Sequence, residues 1–102
     1  MNAPFLAPHL DTIRQLCQTH TVERLDAFGS VLRPDFKETS DVDFLVLFQR
    51  DASTNAFNQY FDFKEALERI LQREVELVCF NAIRNPHFKQ EVEATCQPLY
   101  AA

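Results

Sequence analysis

The chain has 102 residues and a mass of 11.9 kDa, with 46% apolar and 25% charged residues. This is ordinary composition for one small globular domain, here expected over residues 1–102, and it excludes a disordered tail or low-complexity linker over most of the length. Ten basic against fifteen acidic residues give a net charge of −5, which argues against direct nucleic-acid binding driven by phosphate neutralisation, and no apolar run approaches the ~20 residues of a membrane span.

Pro4 and Pro8 punctuate the start, and residues 1–10 show neither the basic nor the continuous apolar region of a secretory signal. Leu10, Ile13, Leu16 and Cys17 recur at helical spacing and predict a first helix over residues 8–19. Residues 22–28, Val-Glu-Arg-Leu-Asp-Ala-Phe, read as a strand closed by Gly29-Ser30. Gly29 is the only glycine, so other turns fall to Asn, Asp, Ser and Pro. Residues 31–40 carry Pro34, Asp35 and Thr39 and predict a short helical turn followed by a loop.

Residues 42–48, Val-Asp-Phe-Leu-Val-Leu-Phe, are apolar on both faces and predict a central strand covered on both sides. The polar turn over residues 51–55 can cap a long helix over residues 55–72, with Phe57, Tyr60, Phe61, Leu67, Ile70 and Leu71 as its apolar face. On that reading Phe63 falls off the centre of the face, at the edge of the core or on a partner surface. Residues 75–80 predict a third strand. Asn85-Pro86 then starts a last helix lined by Phe88, Val92 and Cys96 and stopped by Pro98. Cys17, Cys79 and Cys96 are odd in number, far apart and set in apolar patterns, which predicts buried free thiols in a reducing cytoplasm.

Chemistry concentrates in residues 29–46, GSVLRPDFKETSDVDFLV. Asp41 and Asp43, at i and i+2, open the central strand on one face, about 6.5–7 Å apart along the backbone. Two such carboxylates repel unless a cation lies between them, and Mg²⁺ is commonly held by one or two carboxylates together with substrate phosphates. Gly29 lets the backbone approach an anion closely at a strand-to-helix turn, Ser30 adds a hydroxyl donor, and Arg33 adds a cation one turn later.

With ten residues between Gly29-Ser30 and Asp41-x-Asp43, the segment resembles the Gly-Ser-x10-Asp-x-Asp signature of the nucleotidyltransferase superfamily. The closest resemblance is to its minimal single-domain members. That family places a third carboxylate on a later strand, typically as Val-Asp-Leu-Val. Aligning Leu77-Val78 puts Glu76 there, a glutamate where relatives carry aspartate. Another departure is Arg33-Pro34 where many relatives read Arg-Gly.

The resemblance implies an α+β, polymerase β-like nucleotidyltransferase fold. In it a small mixed β-sheet is flanked by helices in the order α-β-turn-β-α-β-α. It implies transfer of AMP from ATP to a hydroxyl with two Mg²⁺ ions, Asp41, Asp43 and Glu76 serving as catalytic and metal ligands. Gly29, Ser30 and Arg33 would bind the triphosphate. It also implies a partner: a HEPN-domain RNase toxin, adenylylated on a tyrosine, with this chain as its antitoxin in a hetero-oligomer.

A catalytically weak antitoxin that acts by contact alone is the alternative, favoured by Glu76. A stand-alone transferase acting on a cationic drug is a weaker one. Glu74 competes with Glu76 for the third position but reads better as a solvated strand start. Lys64 reads as a snorkelling side chain, and His9, His20 and His87 lack metal-ligand spacing.

Overall fold

A computed structural model describes residues 4–37 and 40–102; the first three residues, and Thr39 of the predicted loop, lie outside them. A 3-10 turn, Ala7–His9, with Pro8 near its start, leads into α1, Leu10–Thr19, which buries Ile13 and Cys17. Strand β1, Val22–Phe28, ends on a second 3-10 turn, Gly29–Leu32, and β2 covers Val42–Phe48. Helix α2 runs over Ala56–Leu71 and β3 over Val75–Cys79; a 3-10 turn at Phe80–Ala82 precedes α3, Pro86–Thr95. Both long helical starts carry their expected cap. Asn55 Oδ1 accepts from the Asn58 amide at 3.0 Å, and Asn85 Oδ1 from the His87 and Phe88 amides at 2.9 and 3.2 Å.

The sheet has four strands, not the expected three. After α3 the chain re-enters as β4, Gln97–Ala101, and pairs antiparallel with β1, giving the order β3-β2-β1-β4. Pro98 therefore ends no helix. It sits in an edge strand, where a missing amide costs little. β1 and β2 are antiparallel, while β2 and β3 are parallel, so the sheet is mixed. Val42, Phe44, Val46, Val75 and Leu77 join the larger core with α1 and α2. Phe28 and Leu45 pack under Val92 of α3 on the other face. Both faces of β2 are thus covered, as its composition requires.

The apolar face of α2 is rotated from the sequence expectation. Phe63, Leu67 and Leu71, spaced by four, are buried, with Phe63 fully so, whereas Phe57 and Phe61 are 69% and 42% exposed. Both stripes satisfy helical spacing; the one facing the sheet wins. Two backbone groups of edge strand β3 are taken by α2: Tyr60 Oη donates to the Leu77 carbonyl at 2.6 Å, and Glu68 Oε2 accepts from the Val75 amide at 3.1 Å. Occupied groups make a poorer template for a further strand.

With one glycine in the chain, left-handed backbone falls on Thr21 (φ 54°) and Gln72 (φ 55°) rather than on Asn or Asp. Cys17 is buried and its thiol pushed up to about 12 by burial; Cys79 and Cys96 are only half-buried, and all three are free. Asp26, unremarkable in sequence, is wholly buried. Arg24 pairs with its Oδ2 at 2.9 Å, the Cys96 thiol donates to the same oxygen at 3.6 Å, and Oδ1 has no partner among the described residues. Among the described residues, no helix is long and apolar enough to cross a membrane.

Candidate functional site

Strand pairing lines up one row of side chains across three strands. Phe28 at the end of β1 stands opposite Asp43 of β2, and Asp43 stands opposite Glu76 of β3. Neighbouring strands lie about 4.8 Å apart, so the Asp43 and Glu76 carboxylates are side by side. Burial pushes the Asp43 carboxyl up to about 6, the Glu76 and Asp41 charges push in the same sense, and the Ser30 main-chain amide acts against them. Asp41 is exposed and precedes the first residue of β2.

The turn after β1 completes the constellation. Gly29 adopts φ +74°, and a β-carbon there would lie 2.5 Å from Asp43 Oδ2. Both conditions favour glycine here, since a side chain would strain the backbone and displace the Asp43 carboxylate. The Ser30 hydroxyl donates to the Asp41 main-chain carbonyl at 3.1 Å, tying the turn to the start of β2. An open cavity of about 770 Å³ is lined on one side by Gly29, Ser30, Arg33 and Asp43 and on the other by α3, including Phe88 and Glu91. Asp41 and Glu76 flank Asp43 but do not line this cavity. The α3 wall was not recognisable as part of the site from sequence. Its only signal was the helical spacing of Phe88 and Val92.

Arg73 is a second residue that sequence reasoning missed. Its guanidinium lies 4.5 Å from the Phe5 ring centre and 5.0 Å from that of Phe36, and donates to the carbonyls of Lys37 and Ser40 at 2.7 and 3.1 Å. It therefore clamps the segment leading to Asp41 against the start of β3. Glu74 is exposed and contributes its main-chain carbonyl to the Val42 amide at 3.0 Å. Lys64 pairs with Glu68 at 3.4 Å and does not line the cavity. The rings of His9 and His20 pack near Phe5 and Phe63.

Among the described residues, no three His, Cys, Asp or Glu side chains form a ready-made cation cage. The donor set nonetheless suits Mg²⁺. Asp41, Asp43 and Glu76 offer hard carboxylate oxygens, and Asp43 and Glu76 stand side by side on paired strands. An ion that keeps several waters and takes the rest of its ligands from a phosphate needs only one or two of them.

The polymerase beta nucleotidyltransferase family model matches residues 11–102. A Methanocaldococcus jannaschii protein bearing the name "putative protein adenylyltransferase" is 34% identical over 74 residues, which cover 72% of this chain and 73% of that protein. The solved structure of a "putative minimal nucleotidyltransferase" superposes with a TM-score of 0.78 at 29% identity, covering 97% of both chains. A toxin–antitoxin structure with AMP-PNP matches with a TM-score of 0.70 at 21% identity, over 91% of this chain and 73% of that one. A tri-AMPylated Shewanella oneidensis HEPN toxin in complex with its MNT antitoxin matches with a TM-score of 0.63 at 20% identity, over 93% and 71%. At these identities the two complexes establish the shared fold.

Proposed function

Because the chain belongs to the polymerase beta nucleotidyltransferase family, we propose that its 102 residues act as a single domain that moves AMP from ATP to a tyrosine hydroxyl of a HEPN RNase toxin. On this reading it is the toxin's antitoxin, works in the cytoplasm where ATP is present, and forms a hetero-oligomer with its target. The carrying observation is the row Phe28–Asp43–Glu76, whose Phe28 and Asp43 line one cavity together with the Gly29 turn. The toxin complexes that share the fold, one with AMP-PNP and one with an AMPylated toxin, support the choice of nucleotide and acceptor.

In the transfer, the acceptor oxygen bonds to the α-phosphorus while the bond from that phosphorus to the bridging oxygen of pyrophosphate breaks. The hydroxyl proton passes to Glu76, the exposed carboxylate of the row. The Gly29–Ser30 turn and the Arg33 guanidinium receive the β- and γ-phosphates, and the α3 wall encloses the nucleoside. Asp41, Asp43 and Glu76 would hold two Mg²⁺, whose chemistry is to lower the acceptor hydroxyl's pKa and neutralise charge at the α-phosphate. The test is incubation with α-labelled ATP, Mg²⁺ and a HEPN toxin from the same organism. Label on the toxin that disappears with Asp43→Asn is expected; equal label with that variant overturns the reading.

A second reading, neutralisation by contact alone, is favoured by one observation: neither Asp41 nor Glu76 lines the cavity that Asp43 enters. Full protection from the toxin by a chain carrying both Asp41→Ala and Asp43→Ala would establish it.

A further inference from the structure

The rotation of α2 leaves an aromatic strip on the surface. Phe57 and Phe61 are 69% and 42% exposed with ring centres 4.6 Å apart, and Tyr60 meets Phe61 edge-on at 4.9 Å. Neither phenylalanine belongs to the core, and neither lines the cavity at the carboxylates. Two phenylalanines in contact and both open to water form an apolar patch of the kind found at interfaces. On the same helix, Asp62 and Glu65 are exposed, and among the described residues neither has an ion-pair partner.

We propose that this strip is the docking surface for the acceptor protein, an occupant that presents an apolar ridge flanked by Lys or Arg. Two arguments select that occupant. The acidic residues beside the rings complement basic flanks, whereas a second copy of this chain, with its net charge of −5, would bring like charges together. The strip also reaches the strand that carries Glu76, because Tyr60, which meets Phe61 edge-on, donates to the carbonyl of Leu77, the residue after Glu76. A protein seated on the strip is thereby placed to offer a hydroxyl to the neighbouring site.

The proposal rests on the protein-acceptor reading above, and its experiment separates the two. Affinity for a HEPN toxin from the same organism is measured by calorimetry without ATP, for the unaltered chain, for Phe57→Ser with Phe61→Ser, and for Asp62→Lys with Glu65→Lys. These positions are solvent-facing, so the domain keeps its fold, checked by an unchanged thermal shift on adding Mg²⁺–ATP. Loss of at least about tenfold in affinity in both variants is expected. Unchanged affinity with normal AMP transfer overturns the docking surface and leaves the reaction standing. Docking of the unaltered chain without transfer does the reverse, and no binding by it overturns both. Reduced self-association as the only effect of the substitutions assigns the strip to a second copy and also overturns the proposal.

Discussion

Gly29 and Asp43 share a space with no room for a β-carbon, because one built on Gly29 would sit 2.5 Å from Asp43 Oδ2. The contact makes turn and carboxylate one unit: anything that widens the turn moves the oxygen. Gly29→Ala is expected to lose about 1–2 kcal/mol of stability from its left-handed backbone alone. Its thermal shift on adding Mg²⁺–ATP should vanish as Asp43 is displaced. A normal shift would reduce Gly29 to an ordinary turn residue.

Asp43 should make the cation-free domain less stable at neutral pH than at mildly acidic pH. Its folded-state carboxyl is raised from 3.8 to about 6, so the folded state holds this proton more tightly than the unfolded one. The stability tied to it is whole below 3.8 and is lost as pH rises to about 6. Urea midpoints measured in EDTA across that window should fall more steeply for the unaltered chain than for Asp43→Asn. At pH 7 the variant should be the more stable of the two until Mg²⁺ is added. Parallel curves for the two proteins would contradict this.

Arg73→Gln removes two charge-assisted bonds to main-chain carbonyls and the stacking on Phe5 and Phe36. A stability loss of about 2–3 kcal/mol is expected. Because the clamp holds the segment leading to Asp41, the Mg²⁺ concentration giving half the nucleotide-dependent thermal shift should also rise. Arg73→Lys keeps the charge without the planar fork and should fall between. A simple loss of stability with unchanged Mg²⁺ dependence would confine Arg73 to the scaffold.

The two stripes of α2 give an internal control. Phe63→Ala empties a fully buried site and should cost about 3–5 kcal/mol in urea unfolding. Phe57→Ala, at a 69% exposed position, should change stability by no more than about 0.5 kcal/mol. Similar losses at both would reverse the assignment of the buried face.

Two strands and two helix caps around the candidate site were legible because their signals are local. A strand period of two placed Asp43 on one face with Leu45, and the strand bounds Val22–Phe28 and Val42–Phe48 were expected as found. Asn55 and Asn85 were readable as caps for the same reason. What escaped depends on distant partners. β4 has no alternating pattern in Gln-Pro-Leu-Tyr-Ala and exists because β1 offers it an edge. Phe63 was misplaced because two stripes of α2 meet helical spacing, and only contact with the sheet chooses between them. Arg73 joins Phe5, Phe36 and the Lys37–Ser40 carbonyls, a meeting that no single window contains.

The pairings of β1 and β2 also order the events by which the domain forms. Ala27–Phe44, Asp43–Glu76 and Leu25–Tyr100 close successively longer stretches of chain. Loop-closure entropy favours forming them in that sequence. Substitutions in the β1–β2 pair are thus expected to slow folding, and those in β4 chiefly to hasten unfolding. Glu76 would then arrive at a carboxylate and phosphate turn already in place, and the last strand would act as a latch whose release sets the lifetime of the native state.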